Sequence, residues 1–210
     1  MPDQVARGRF ITLEGGEGVG KSTQLAALGE ALRARGIDVV TTREPGGSDG
    51  AEAIRRLLLE GGEERWSAPA EALLFAAART DHVDKLVRPA VLAGKWVISD
   101  RFIDSSLAYQ GGAGGLGIEA VRAINAFGID GWFPDRTLLL LHPQGAERAR
   151  ARDGAEADRI GGRPASYHDN VEAAFRAIAA AEPDRVRPVD ASGSPEDVTA
   201  LLLAALEDLL

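Results

Sequence analysis

The nine residues Gly15 to Thr23 read GGEGVGKST, led into by the apolar run Phe10-Ile11-Thr12-Leu13 and followed by an amphipathic stretch. The pattern G-x-x-x-x-G-K-[ST] between a strand and a helix suits a nucleoside triphosphate. Glycines let backbone N–H groups curl around phosphate oxygens, the lysine neutralises charge, and the hydroxyl reaches Mg²⁺. Gly15, Gly16, Glu17, Gly18, Val19 and Gly20 form the candidate cradle, with Lys21, Ser22 and Thr23 opening the helix. The rival reading is a glycine-rich turn with no ligand. Lysine is scarce, with only Lys21, Lys85 and Lys95 in 210 residues, so composition does not account for the match.

A hydrophobic content of 45% over this length suits a single compact α/β domain spanning 1–210. The formal net charge of −8 argues against broad electrostatic capture of nucleic acid or an anionic membrane, so the nucleotide is expected to be a small ligand. Cysteine is absent, which removes disulfides and thiolate metal sites. Neither a charged-then-apolar leader nor a run of 18 apolar residues is found. The expectation is a soluble cytoplasmic enzyme with neither a nucleic-acid nor a membrane partner.

Periodicity places strands at 10–13, 37–42, 96–99, 137–141 and near 186–189. Leu25, Leu28 and Leu32 recur at helical spacing before Gly36 stops that helix. Further helices are expected at about 51–60, at about 70–93, after the glycine-rich segment 111–117, on either side of an Arg/Gly-rich segment, and at the C-terminus. Strands alternating with helices, with the phosphate loop at the first turn, indicate a doubly wound parallel α/β sheet whose ligands lie at the carboxyl ends of the strands.

Asp100 ends the apolar run Trp96-Val97-Ile98-Ser99, where a carboxylate can help Ser22 hold Mg²⁺; a turn-capping aspartate is the plainer alternative. Arg101 follows at once. A guanidinium there can bridge donor and acceptor phosphates bidentately, whereas a loop arginine elsewhere is usually a solvated charge.

The string DRFIDSSLAYQ at 100–110, then Gly111-Gly112, stands with TREPGG at 42–47, LLFAAAR at 73–79 and GGEGVGKS. In order and approximate spacing these motifs strongly resemble the bacterial thymidylate kinase family, from about Phe10 to the C-terminal helix. The resemblance implies transfer of phosphate from Mg·ATP to dTMP, on a five-stranded parallel core of the P-loop NTPase type with a mobile lid, in a homodimer. Phe75 matches the aromatic residue under thymine, and Arg79, one helical turn on, the arginine that donates to the base carbonyl. Taken alone, the pair would read as a core Phe beside a surface Arg. Tyr109 matches the ring against deoxyribose, and Ser106 and Gln110 match positions at the thymine edge. Arg43, Arg55 and Arg101 are candidates for the dTMP phosphate. Glu44-Pro45 matches a dipeptide that tends to be cis, the alternative being a trans turn, and Glu17 matches an acidic residue at the 3′-hydroxyl of dTMP.

Gly18 and Val19 stand where some family members carry an arginine, so the cation for the transferring phosphoryl group must come from elsewhere. The segment at about 148–164 resembles the family's lid, and offers Arg152, then Arg148, with Arg159 a further candidate. Gly161 stands where the family usually has a glutamate, and Leu141-His142-Pro143 where an aspartate often ends the fourth strand. Ser192, within Asp190-Ala191-Ser192-Gly193-Ser194, resembles the loop under adenine, and Ser194 as a helix cap explains the same letters. His82 and His168 lack companions at metal-like spacing, and His142 is read as structural. Rival functions are a kinase for another nucleotide, a relative that only binds nucleotide, and a nucleotide-controlled regulator. The last would favour an N-K-x-D string, which does not occur.

Overall fold

The computed structural model describes residues 7–145, 147–148, 151 and 158–210. Five parallel strands form one sheet in the order β2-β3-β1-β4-β5, with β1 Phe10–Glu14, β2 Val39–Arg43, β3 Trp96–Asp100, β4 Arg136–Leu141 and β5 Val186–Asp190. β1 is central and buried along its whole length, which is why its run is continuously apolar rather than alternating. Ile11 and Leu13 point to one layer, with Leu28, Leu32, Val198 and Leu202. Phe10 points to the other, with Val97, Phe102, Leu139 and Phe175. Burying each such side chain stabilises the fold by ~1.5–3 kcal/mol.

The chain moves from β1 outward to β2, returns through β3 to β1's side, and then crosses to β4. That reversal leaves a crevice beyond the carboxyl end of β1, where a doubly wound sheet binds its ligands. Arg43 and Asp100 end adjacent strands in register, so their side chains reach the same rim.

Helix α1 (Lys21–Ala34) starts after Gly20, whose φ of 94° suits only glycine well. It stops where Gly36 N donates to Arg33 O and Ile37 N to Leu32 O, the paired bonds of a glycine C-cap. Helix α2 (Asp49–Leu59) is capped by Ser48. Helix α3 (Ala68–His82) continues through a π-helical turn, Val83–Val87, into α4 (Arg88–Leu92), together making the long helix expected at about 70–93. Helix α5 (Ile103–Ser106) runs on into a π-helical stretch, Leu107–Ala113. Here the glycine-rich segment departs from expectation: Gly111 and Gly112 are helical. A Cβ on Gly112 would lie 2.6 Å from the Ala174 Cβ, so close helix packing rather than loop freedom selects glycine. Helix α6 (Ile118–Ile129), α7 (Ala165–Ala181) and α8 (Pro195–Ala204) complete the layers, and Ser194 with Asp197 forms a capping box on α8. Among the described residues no helix is long and apolar enough to cross a membrane.

Candidate active site

The phosphate loop closes tightly on the sheet. A Cβ at Gly15 would fall 2.4 Å from Leu140 O, and the residue's φ is 135°, so glycine is required twice over. Val19 buries its side chain in the apolar layer and anchors the loop. Gly16 meets no neighbour where a Cβ would stand, which leaves space on the loop's open side, and Gly18 has a positive φ of 71°. Thr23 is exposed one residue beyond Ser22. Lys21 Nζ donates to Gly15 O at 3.1 Å and Gly16 O at 2.6 Å. Burial and then the Arg101 charge push Lys21 down to about 8, against opposing pull from Asp100, Glu17 and Glu14.

Ser22 Oγ donates to Asp100 Oδ2 at 3.2 Å, and the other oxygen, Asp100 Oδ1, is buried with no hydrogen-bond partner. A buried, unpaired carboxylate oxygen beside a hydroxyl fits a hard cation. Among the described residues no group of three or more His, Asp or Glu could hold a metal. A cation here would take two protein oxygens and complete its shell with phosphate and water, the usual habit of Mg²⁺.

Beside the loop lies a cleft of about 220 Å³. Arg101 enters it from the end of β3 with a φ of 72°, its own N–H bonded to Leu13 O. Its guanidinium donates to Gly15 O at 3.1 Å, Ser105 Oγ at 3.0 Å, Glu17 Oε1 at 2.6 Å and Tyr109 OH at 3.2 Å. Arg101's charge holds the Glu17 carboxyl down to about 2. On the opposite wall Arg55 Nη1 donates to Pro45 O at 2.6 Å, and Arg43 Nη2 to Glu52 Oε1 at 2.9 Å. Burial, then repulsion from Arg43, lowers the pKa of Arg55. Guanidiniums crowded along a cleft in this way favour a multivalent anion.

At the deeper end Phe75 is half-buried on α3 and Arg79 follows one turn later. Arg79 is buried, donating to Glu44 Oε2 (2.8 Å), Ser106 Oγ (3.0 Å), Asn125 Oδ1 (2.6 Å) and Phe102 O (3.0 Å). These bonds use four of its five N–H groups, so it lines the cleft as a rigid wall. The Glu44–Pro45 peptide is cis, as the resemblance implied. Tyr109 and Gln110 are both buried and both line the cleft, Tyr109 packing edge-on against Tyr167 and Phe175. Every acceptor-side residue singled out in the sequence thus lines one cavity.

Ser22 and Asp100 line the cleft too, whereas Arg148, Arg159 and Ser192 do not. Arg148 is exposed and donates to His142 Nε2 at 2.9 Å, whereas Arg150 and Arg152 lie outside the described residues. Arg159 is buried, ion-paired with Glu71 at 2.6 Å and donating through Nε to Leu58 O at 2.8 Å. Its Nη2 thus reaches α3 and its Nε reaches α2. Gly161 N and Ile160 N both donate to Asp158 Oδ1 at 2.9 Å, a tight turn where the family glutamate was missing. Ser192 N donates to Asp190 Oδ1 at 2.9 Å, in a loop whose neighbour Pro195 accepts a bond from Gln24 of α1. His82 is a core residue held between Thr42 and Glu44.

Sequence reasoning missed several polar groups beneath the site. Glu14 is fully buried at the end of β1, accepting from Phe102 N at 2.7 Å and Ser105 Oγ at 2.6 Å. A lone carboxylate closing an apolar strand was its one available signal. Glu44 holds Arg79 and His82, and Asp158 lines the cleft from a distant segment.

Residues 13–202 match the family model described as thymidylate kinase. A thymidylate kinase of Rhizorhabdus wittichii is 64% identical over 205 residues, 97% of this chain and 99% of that protein. One from Afipia carboxidovorans is 48% identical over 196 residues, 92% and 86% of the two chains. The crystal structure of a thymidylate kinase from Ehrlichia chaffeensis superposes with a TM-score of 0.79 at 30% identity, covering 95% of this chain and 99% of that one. With matching so nearly complete in sequence and in fold, and with its motif residues gathered on one cleft, the chain belongs to the thymidylate kinase family.

Proposed function

We infer that this protein transfers the γ-phosphoryl group of ATP to the 5′-phosphate of dTMP, giving dTDP and ADP. The observation that carries the reading is the joining of the phosphate loop to the base-sized cleft through Arg101, which touches Gly15 O on one side and Tyr109 OH on the other. Lys21 and the loop amides hold the donor phosphates. Arg43 and Arg55 draw the acceptor phosphate into the cleft, and Arg101 sits where it can bridge acceptor and transferring groups. The acceptor phosphate is an anion near neutral pH, so positioning and charge carry the rate and no dedicated base is needed. Phe75 offers a face to thymine, and Tyr109 fills the space a ribose 2′-hydroxyl would need.

Ser22 and Asp100 are the residues that would hold Mg²⁺, supported by the unpaired Asp100 Oδ1. Bound there, the ion neutralises charge on the donor phosphates. Delivery of a further cation to the transferring group is assigned to Arg152 or Arg148 of the lid segment. Ser192 is assigned to the loop under adenine. Pairing into a homodimer is supported by Leu73 on α3 and Phe127 on α6, which expose 57% and 94% of their surface on helices that pack together. The reaction is expected to take place in the cytoplasm.

The test is ADP release with Mg·ATP and each of dTMP, its ribose analogue, dUMP, dCMP, dGMP and AMP. Fastest turnover with dTMP and little with the ribose analogue is expected. Preference for another acceptor would reject the assignment of the cleft.

A further inference from the structure

Glu71, Phe75 and Arg79 recur every four residues along α3 and so share one face. Phe75 and Arg79 line the cleft, whereas Glu71 is only 3% exposed and sits behind it. Its Oε1 accepts a bond from Gln110 Nε2 at 3.0 Å, and its Oε2 pairs with Arg159 Nη2 at 2.6 Å and Arg163 Nη2 at 2.7 Å. Two guanidiniums compensate the buried carboxylate, and both of its oxygens face donor groups.

That acceptor decides how the Gln110 amide must lie. Its NH₂ has to face Glu71, and its carbonyl oxygen is left on the other side. Gln110 lines the cleft, and among the described residues no donor reaches its Oε1. The backbone beneath is braced by the same cluster. The Arg163 guanidinium lies over the Tyr167 ring at 4.6 Å, and Tyr167 OH donates to Tyr109 O at 2.8 Å, one residue before Gln110.

We propose that Glu71 is a positioning residue that sets base selectivity: by pinning the Gln110 amide it leaves an acceptor, and no donor, facing the base in the cleft. The inference rests on reading that cleft as a dTMP site. Thymine and cytosine differ little in size. Thymine offers an N–H at N3, whereas cytosine offers a lone pair there, so a fixed carbonyl oxygen pairs with the first and opposes the second. A site built around one hydrogen bond rejects the analogue that lacks it because its buried polar group is left unpaired. An amide free to turn over would present NH₂ to cytosine and lose that distinction.

The experiment compares kcat/KM for dTMP and dCMP in the full chain and in Glu71→Gln, whose amide can either accept from or donate to Gln110. The dTMP to dCMP ratio is expected to fall at least about tenfold, mainly through KM, with kcat for dTMP held within about threefold. Glu71→Asp keeps the charge for Arg159 and Arg163 but withdraws it from Gln110 by one methylene. It should lower the ratio in the same direction, and it carries the test where Glu71→Gln does not fold. Equal losses with both nucleotides, or an unchanged ratio in a folded variant, would overturn the role given to Glu71. Absence of dTMP turnover by the unaltered chain would overturn the functional reading and this inference with it, whereas retained turnover with an unchanged ratio overturns Glu71 alone.

Discussion

The Arg101 guanidinium donates to the Glu17 carboxylate across 2.6 Å, tying the end of β3 to the middle of the phosphate loop. Glu17 is therefore half of an ion pair whose cation also reaches Gly15 O and Tyr109 OH. Arg101 also lies 5.0 Å over the Tyr109 ring, which aims the guanidinium along the cleft.

Arg101→Ala is expected to lower kcat by about 10³-fold, the scale found when a cation is removed from a phosphoryl-transfer site. The fold should survive, as read by circular dichroism, because the bonds lost lie at the cleft and Arg101 belongs to neither apolar layer. Retention of more than about a tenth of the activity would remove Arg101 from the phosphate site.

Phe75→Ala addresses the base pocket separately. The ring is half-buried on the cleft wall and carries no group that could bond a phosphate. KM for dTMP should rise by about tenfold or more while kcat changes much less, since stacking acts alike on ground and transition states. A fall in kcat at constant KM would place Phe75 in the chemistry instead.

Glu14 predicts a pH dependence of stability. Burial, then the neighbouring Asp104 charge, pushes its carboxyl up to about 8, against opposing help from Ser105, Arg101 and Phe102 N–H. Between the unfolded value near 4.5 and the folded value near 8, the folded state keeps a proton that the unfolded chain has lost. Folding stability should thus decline with rising pH across that window, by up to about 1.4 kcal/mol per pH unit from this one group. Glu14→Gln should flatten the decline, as read from urea denaturation at a series of pH values. An equally steep slope in the variant would assign it to other groups.

Lys21 predicts proton uptake on binding nucleotide. With its pKa pushed down to about 8, Lys21 is half-charged at that pH, and phosphate oxygens brought to the loop favour the ammonium. Calorimetric titration at pH 8 in buffers of different ionisation enthalpy should report on the order of half a proton taken up. A binding enthalpy independent of buffer would contradict this account of the loop.

Sequence alone determined the parts whose chemistry is contiguous. The helix start at Lys21, the stop at Gly36 and the alternation of five strands with helices all follow from local patterning, because steric and periodic constraints act over a few residues. Ser22, Arg43, Asp100 and Arg101 were legible through motifs at strand ends, whereas Phe75, Arg79, Ser106, Tyr109 and Gln110 were reached only through the family resemblance. Tertiary structure alone decided what stands behind them. Glu14 meets Ser105 across 91 positions, and Glu71 meets Gln110 across 39 and Arg163 across 92. No spacing rule links such distant polar residues; their pairing is enforced only when packing excludes water and each buried donor or acceptor must find a partner. Likewise Gly112 reads as a loop residue until α7 closes against it, and only then does the missing side chain become the reason the two helices can touch.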